Sequence, residues 1–310
     1  SIGAADGRKS PSDYIIRNYD SDDGLRSDTV FSLTQDRDGY LWCGTYAGLA
    51  RFDGVRFTIF DIDKTRALGT RTIYSVQTDR AGRLWIGNDE YALIVREAGE
   101  FHAVPLPLDA TGVPGQLRSL CEDSQGCVWI TTRDSRTMQW KDGQLTESKW
   151  SAGSPSILLD WSGSGPDWFS VSDPGANTVR FGHFNGGVFT SPADPQGIEH
   201  FSAQVCFPRI AGGMWMLDQA GEDHRLRALL PDGTISGFRT LPPLVGDPPS
   251  AYLEDYSGNL WIGLREAGIL RIAPDGSRRR FTRADGLPSE RIRSMILDRE
   301  GNIWAATDGG

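Results

Sequence analysis

Cysteine is scarce in this chain: Cys43, Cys121, Cys127 and Cys206 are the only four in 310 residues. That is too few for a disulfide scaffold, and no Cys-x-x-Cys spacing marks a metal site. Cys121 and Cys127 flank an expected hairpin turn and could meet, but free thiols, buried or half-buried, are the expectation. Long apolar runs are also missing. No stretch approaches the roughly 18 consecutive apolar residues that span a bilayer. The chain does not open on a basic segment followed by an apolar one. Its first residues, Ser1 to Asp6, suit a mature terminus left by cleavage equally well. Positive charge is in deficit: 32 Lys and Arg face 41 Asp and Glu, a net charge of −9. Such a chain repels phosphate backbones, so nucleic acid is not an expected partner. The run Arg278-Arg279-Arg280 is too short to reverse this.

The usual signatures of catalysis are missing as well. The histidines, His102, His183, His200 and His224, share no repeat position and no His-x-x-x-His or Glu-x-x-His spacing. They read as surface residues rather than ligands or bases. No Gly-x-Ser-x-Gly elbow, P-loop or dinucleotide fingerprint occurs. Asp20-Ser-Asp-Asp-Gly24 has a faint likeness to a calcium loop, yet Phe31 stands where a twelfth-position Glu would be needed. A solvated turn is the expectation there. No metal, no cofactor and no catalytic residue is expected.

What the chain has is turns, tryptophan and a repeat. Hydrophobic residues make up 38% and charged residues 24%, a globular composition, with Gly 37, Pro 17 and Trp 10. The seed is Asp36-x-x-Gly39-x-Leu41-Trp42. It recurs at Asp79–Trp85, Asp123–Trp129, Asp255–Trp261 and Asp298–Trp304. Weaker copies end at Trp168 and Trp215, where Ser162 and Arg209 stand in place of the Asp. The seven tryptophans, 42, 85, 129, 168, 215, 261 and 304, are spaced 43, 44, 39, 47, 46 and 43 residues apart. A period in the forties suits a propeller blade and also some helical repeats. The local pattern decides for strands. Val30–Gln35 is rich in β-formers and runs into the Asp-x-x-Gly turn. Leu41–Thr45 follows, then Gly48–Phe52, then Asp53-Gly54 and Val55–Phe60. Asp-Gly or Asn-Gly recurs at 142, 185, 232 and 275, a strong hairpin signal.

The expectation is therefore an all-β, seven-bladed β-propeller with four antiparallel strands per blade, filling residues 1–310 as a single domain. Each repeat tryptophan reads as an apolar wedge between blades, and each turn Asp as a turn residue. The last repeat ends at Gly310, just after its second strand. Residues 13–20, with Tyr14–Tyr19 as an outer strand, would complete that blade and close the ring. Whether residues 1–8 add its third strand stays open.

At Asp23-Gly-Leu25, Asp36-x-x-Gly39-x-Leu-Trp42-x-Gly44-Thr45 and Gly48-Leu-x-Arg-Phe52 the sequence resembles the two-component-regulator propeller family. The resemblance runs over about residues 14–310 and is weakest in repeats four and five. It implies an extracytoplasmic, periplasmic sensor propeller of a bacterial transmembrane signalling receptor. Family members usually carry a second propeller, a small β-sandwich, a membrane span and a cytoplasmic output. None of these lies in the 310 residues.

Propellers place recognition on loops at one face. Here that face would collect the loops entering each inner strand and the loops joining second to third strands. They hold Arg26, Asp28, Tyr46, Tyr91, Arg133, Arg136, Arg265, Glu266 and Arg291, the expected ligand-binding residues. Arg forks bind carboxylates, and Tyr offers stacking and a hydroxyl. The expected partner is a small polar ligand, an anion or an oligosaccharide, or else another protein. The full receptor could pair as a homodimer, and this segment would make no membrane contact. A protein-interaction scaffold is the alternative function. A propeller enzyme, a lyase or quinone-dependent dehydrogenase, ranks lower, because no His–Glu pair, carboxylate cluster or vicinal disulfide is present.

Overall fold

The computed structural model describes residues 2–3, 14–90, 92–108, 111–112, 115, 117–123, 125–132, 134, 136–147, 156–158, 168–173, 178–185, 188–190, 203–220, 223–232, 234–241 and 248–310. For the strands between 156 and 190, and for several residues in neighbouring strands, this description is of the backbone alone. Two short strands, β1 (Ile2–Gly3) and β2 (Ile15–Ile16), precede the repeats. The first repeat is β3 (Val30–Gln35), β4 (Leu41–Thr45), β5 (Gly48–Phe52) and β6 (Phe57–Phe60). The second is β7 (Ile73–Thr78), β8 (Leu84–Asn88), β9 (Leu93–Glu97) and β10 (Glu100–Val104). The third is β11 (Leu117–Glu122), β12 (Val128–Thr132), β13 (Thr137–Lys141) and β14 (Gln144–Glu147). Then come β15 (Ser156–Leu158), β16 (Trp168–Asp173), β17 (Thr178–Asn185) and β18 (Val188–Thr190). They are followed by β19 (Ala203–Pro208), β20 (Met214–Ala220), β21 (Asp223–Leu229) and β22 (Ile235–Leu241). The last strands are β23 (Pro249–Glu254), β24 (Leu260–Leu264), β25 (Ile269–Ile272), β26 (Arg278–Phe281), β27 (Ile292–Leu297) and β28 (Asn302–Thr307).

All of them pair in four-stranded antiparallel meanders, the β-propeller motif. They divide into two compact units, residues 1–106 with 245–310, and residues 107–244. The first unit holds the sheets β3–β6, β7–β10, β23–β26 and the sheet of order β2-β1-β28-β27. The second holds the three sheets from β11 to β22.

The blade count expected from the sequence is corrected: among the described residues the propeller has five complete blades, not seven. A complete blade has its tryptophan clamped by the turn aspartate. The indole Nε1–H donates to Oδ2 of the Asp six residues earlier in five pairs: Trp42–Asp36, Trp85–Asp79, Trp129–Asp123, Trp261–Asp255 and Trp304–Asp298, at 2.7–2.8 Å. The sheet β19–β22 lacks this clamp. Arg209 takes the Asp position and stacks 5.0 Å over Trp215, whose buried Nε1 has no partner among the described residues. In the sheet β15–β18, Ser162 and the Trp168 side chain lie outside the described residues. Even tryptophan spacing counts copies of a repeat. It does not show that each copy keeps the carboxylate that makes it a regular blade.

The clamp also builds the hairpin. Asp36 Oδ1 accepts the amides of Asp38 and Tyr40, both at 3.0 Å, while its Oδ2 takes the indole. One carboxylate thus satisfies two turn amides and one buried side-chain donor. Trp42, Trp85, Trp129 and Trp261 are almost fully buried, whereas Trp304 is half-buried. Trp42 packs with Leu49, Ile73, Val76 and Ile86, so its ring fills the seam between the first and second sheets.

The N-terminal segment completes the C-terminal sheet. Ile2 and Gly3 pair with Ile303 and Asn302, and Ile16 and Ile15 pair outside them. The sequence expectation that Tyr14–Tyr19 joins the strands at 292–307 matches this pairing, with β1 as the third strand. Aromatic rings secure the segment on both sides. Tyr14 meets Trp261 edge-on at 5.2 Å, and Tyr19 lies 4.9 Å from Phe52 and 5.7 Å from Trp304. The motif Asp23-Gly24-Leu25 that follows is a capped 3-10 turn. Asp20 accepts the Asp22 amide, Asp23 accepts the Asp20 amide, and Gly24 sits at φ +97°. These carboxylates serve the backbone, as a solvated turn requires.

Candidate recognition face

In the first unit the first strand of each sheet is the innermost, since first strands of adjacent sheets pack on one another. Six of the seven first strands begin in nearly the same way. The register shifts between Val30 and Ser32, Ile73 and Ser75, Leu117 and Ser119, Ala203 and Val205, Pro249 and Ala251, and Ile292 and Ser294. Each shift is a β-bulge that leaves one extra residue on the inner strand. The extra residues are Phe31, Tyr74, Arg118, Gln204, Ser250 and Arg293. Glycine on the second strand makes room for this. A Cβ on Gly44 would lie 2.8 Å from the Ile73 carbonyl, and one on Gly263 only 2.6 Å from Ile292 Cγ2. The small residue two after the tryptophan therefore lets the next inner strand approach at its bulge.

In the first unit three bulge residues form a continuous row. The Arg293 guanidinium lies 4.8 Å over Phe31, and Phe31 is 4.7 Å from Tyr74 in an edge-to-face contact. Tyr74 is 45% exposed. Asp308 anchors the row: its carboxylate pairs with Arg293 Nε and lies 3.6 Å from Arg291 Nε. Arg291 Nη2 also donates to Glu266 Oε1 at 3.3 Å. Sequence reasoning missed Phe31, Tyr74 and Arg293 because it looked for recognition in loops. The available signal was a polar or aromatic residue following an aliphatic one at the start of each inner strand, as in Val30-Phe31, Ile73-Tyr74 and Ile292-Arg293.

Of the expected ligand-binding residues, Arg291 and Glu266 connect to this row through Asp308. The two loop sets meet, for Tyr46 N donates to Thr29 O, Gly268 N to Glu290 O, and Gly310 N to Asp28 O. Arg26 pairs with Asp61 across this edge of the first unit. The Lys64 amide, aided by Arg26, holds the Asp61 carboxyl below the usual aspartate range despite burial. Asp28 is committed to structure, its Oδ1 accepting the Ser21 amide at 2.8 Å. Tyr46 is 64% exposed, and Arg265 is exposed beside Glu266. Tyr91 and Arg133 lie outside the described residues. Arg136 belongs to the second unit, where it is a staple: it donates to Asp134 and to the carbonyls of Pro107 and Leu108 at 2.7–2.9 Å. Of the cysteines, Cys43, Cys121 and Cys127 are buried, and burial pushes the Cys43 thiol up to about 12. The Cys206 side chain lies outside the described residues. Of the histidines only the His102 side chain is described, and it is exposed.

The two component regulator propeller family matches residues 24–47, 67–90, 112–134 and 286–309. Each match covers an inner strand, its bulge, the Asp turn and the clamped tryptophan. A histidine kinase P4 of Formosa agariphila is 39% identical over 49 residues, 16% of this chain and 4% of that protein. The extracellular domain of BT3049 from B. thetaiotaomicron, assigned as a hybrid two component system, superposes with a TM-score of 0.66 at 17% identity. That match covers 95% of this chain and 40% of that extracellular domain, so the chain spans less than half of both two-component relatives. Virginiamycin B lyase from Staphylococcus aureus superposes at 0.65 with 15% identity, covering 91% of this chain and 92% of the lyase. YCF48 bound to D1 peptide gives 0.64 at 15% identity, with 92% and 93% covered. At these identities the superpositions show the fold alone. What the comparisons share with this chain is thus the repeat: the segments 24–47, 67–90, 112–134 and 286–309 match the two component regulator propeller family.

Proposed function

We propose that this chain is the extracytoplasmic sensor propeller of a transmembrane signalling receptor, and that it binds its ligand without turnover. The carrying observation is that the family repeats themselves supply the bulge row and the Arg–Asp loops around it. The bulge row is thus made from family-matched segments of the first unit, and Glu266 joins it through Arg291. The face combines an exposed aromatic edge with charged forks, a set suited to a polar small molecule or an oligosaccharide. Among the described residues no helix is long and apolar enough to cross a membrane. The likeness to an extracellular domain of a two component system supports an address outside the cytoplasm.

The test is a thermal-shift screen of polar metabolites and oligosaccharides, followed by titration of any hit. Tyr46→Ala with Arg265→Ala should abolish binding and leave the melting temperature of the unliganded protein nearly unchanged, because both side chains are exposed. Retained affinity would remove this face, and turnover of a hit would replace the reading with an enzyme. A docking scaffold is the second reading, favoured by the likeness to YCF48, which binds a peptide. A partner protein that binds and is lost in the same double variant would select it.

A further inference from the structure

We infer that Arg291 is a carboxylate receptor held in reserve by Glu266, and that the face takes a ligand carrying a carboxylate beside a flat apolar ring. This rests on the recognition reading above and adds the ligand class. The inference follows from how unequally two neighbouring arginines are held. Arg293 is committed: it pairs closely with Asp308 and covers the Phe31 ring. Arg291 is held only at a distance, 3.6 Å from the same Asp308 and 3.3 Å from Glu266. Arg291 is 49% exposed at its side chain and Glu266 75%. An exposed pair of this kind contributes little, so a better-placed carboxylate can displace Glu266 at small cost. A guanidinium offers a planar fork that a carboxylate matches in two parallel hydrogen bonds. Glu266 thus occupies the place of the ligand's acid group and keeps the fork oriented when no ligand is present.

The ring requirement comes from the other end of the row. From Arg291 the contacts run through Asp308 and Arg293 to Phe31 and Tyr74. Arg293 already covers Phe31, so Tyr74 is the aromatic surface left for a ligand. Flat apolar faces of aromatic acids and of acidic sugars both meet this demand. The shared chemistry is a carboxylate carried on or next to a ring, and the probes separate the two sources.

Calorimetric titration of the full chain with phenylacetate, glucuronate, benzyl alcohol and glucose tests this. We expect one or both acids to bind more tightly than their neutral counterparts; a preference for phenylacetate or for glucuronate names the source. Arg291→Gln should weaken the acids ~10-fold or more, the loss of a charged hydrogen-bonded pair. Glu266→Gln should tighten them about two- to fivefold by removing the internal competitor. That gain of affinity cannot come from misfolding. The inference is overturned if the acids bind no better than the neutral probes, or if Arg291→Gln leaves them unchanged. If it falls while Tyr74→Ala still abolishes binding of a neutral ligand, the recognition reading stands. If neither Tyr74→Ala nor Arg291→Gln alters any ligand, that reading falls with it.

Discussion

At the scale of single residues, the tryptophan and its aspartate decide how firmly each blade is held. Trp261 is fully buried and its indole N–H is bonded to Asp255. Trp261→Ala should cost about 3–5 kcal/mol in urea denaturation, the usual range for emptying such a site. Asp255→Ala should cost roughly 1–3 kcal/mol, because it leaves the buried indole and the amides of Ser257 and Asn259 without their acceptor. Trp304→Ala should cost less than Trp261→Ala, since Trp304 is only half-buried. The repeat spacing revealed where these tryptophans stand, and their packing role was legible from size and period. The clamp was less so, because an Asp before a Gly already has a sufficient reason to exist in a turn. Arg209 shows why the count failed: one changed residue leaves the Trp spacing intact and removes the bond that defines the blade.

At the scale of elements, turns and bulges set the recognition face. Thr282 and Asp285 cap the 3-10 turn of Arg283–Asp285, with Gly286 at φ +106°. The Thr282 amide bonds to Asp285 and, against slight desolvation and with help from Arg279, holds its carboxyl below the usual aspartate range. A depressed native value means that the cap's contribution is present above the ordinary aspartate value and is lost as pH falls through the native one. Amide protection factors at Thr282 and Ala284, referred to intrinsic exchange at each pH, should therefore fall on acidification below about pH 4, before global unfolding. Gly263→Ala tests the bulge. Its Cβ would overlap Ile292, which should destabilise by about 1–3 kcal/mol and displace Arg293 from Phe31. Stability from urea melts and the affinity of any ligand of this face should fall together. Strand alternation was visible in the sequence. The bulges were not, because a one-residue slip leaves no mark on composition and appears only when facing strands are paired.

At the scale of the whole molecule, the two ends of the chain share one sheet. Deleting residues 1–19 removes β1, β2 and the rings of Tyr14 and Tyr19 that pack on Trp261, Phe281, Phe52 and Trp304. The truncated protein should melt at a lower temperature or aggregate through the uncovered edge of β28. An unchanged melting curve would show that the pairing carries no weight. The shared sheet also fixes an order of events in folding. Ile2 meets Ile303 only after nearly the whole chain exists, and closing so long a loop costs on the order of 5 kcal/mol in chain entropy. Local hairpins form far sooner than such a contact. Ile2 and Gly3 are thus among the last residues to settle. Until they do, one tryptophan-bearing strand stays open, so the slowest step in refolding should be the one that shields Trp304.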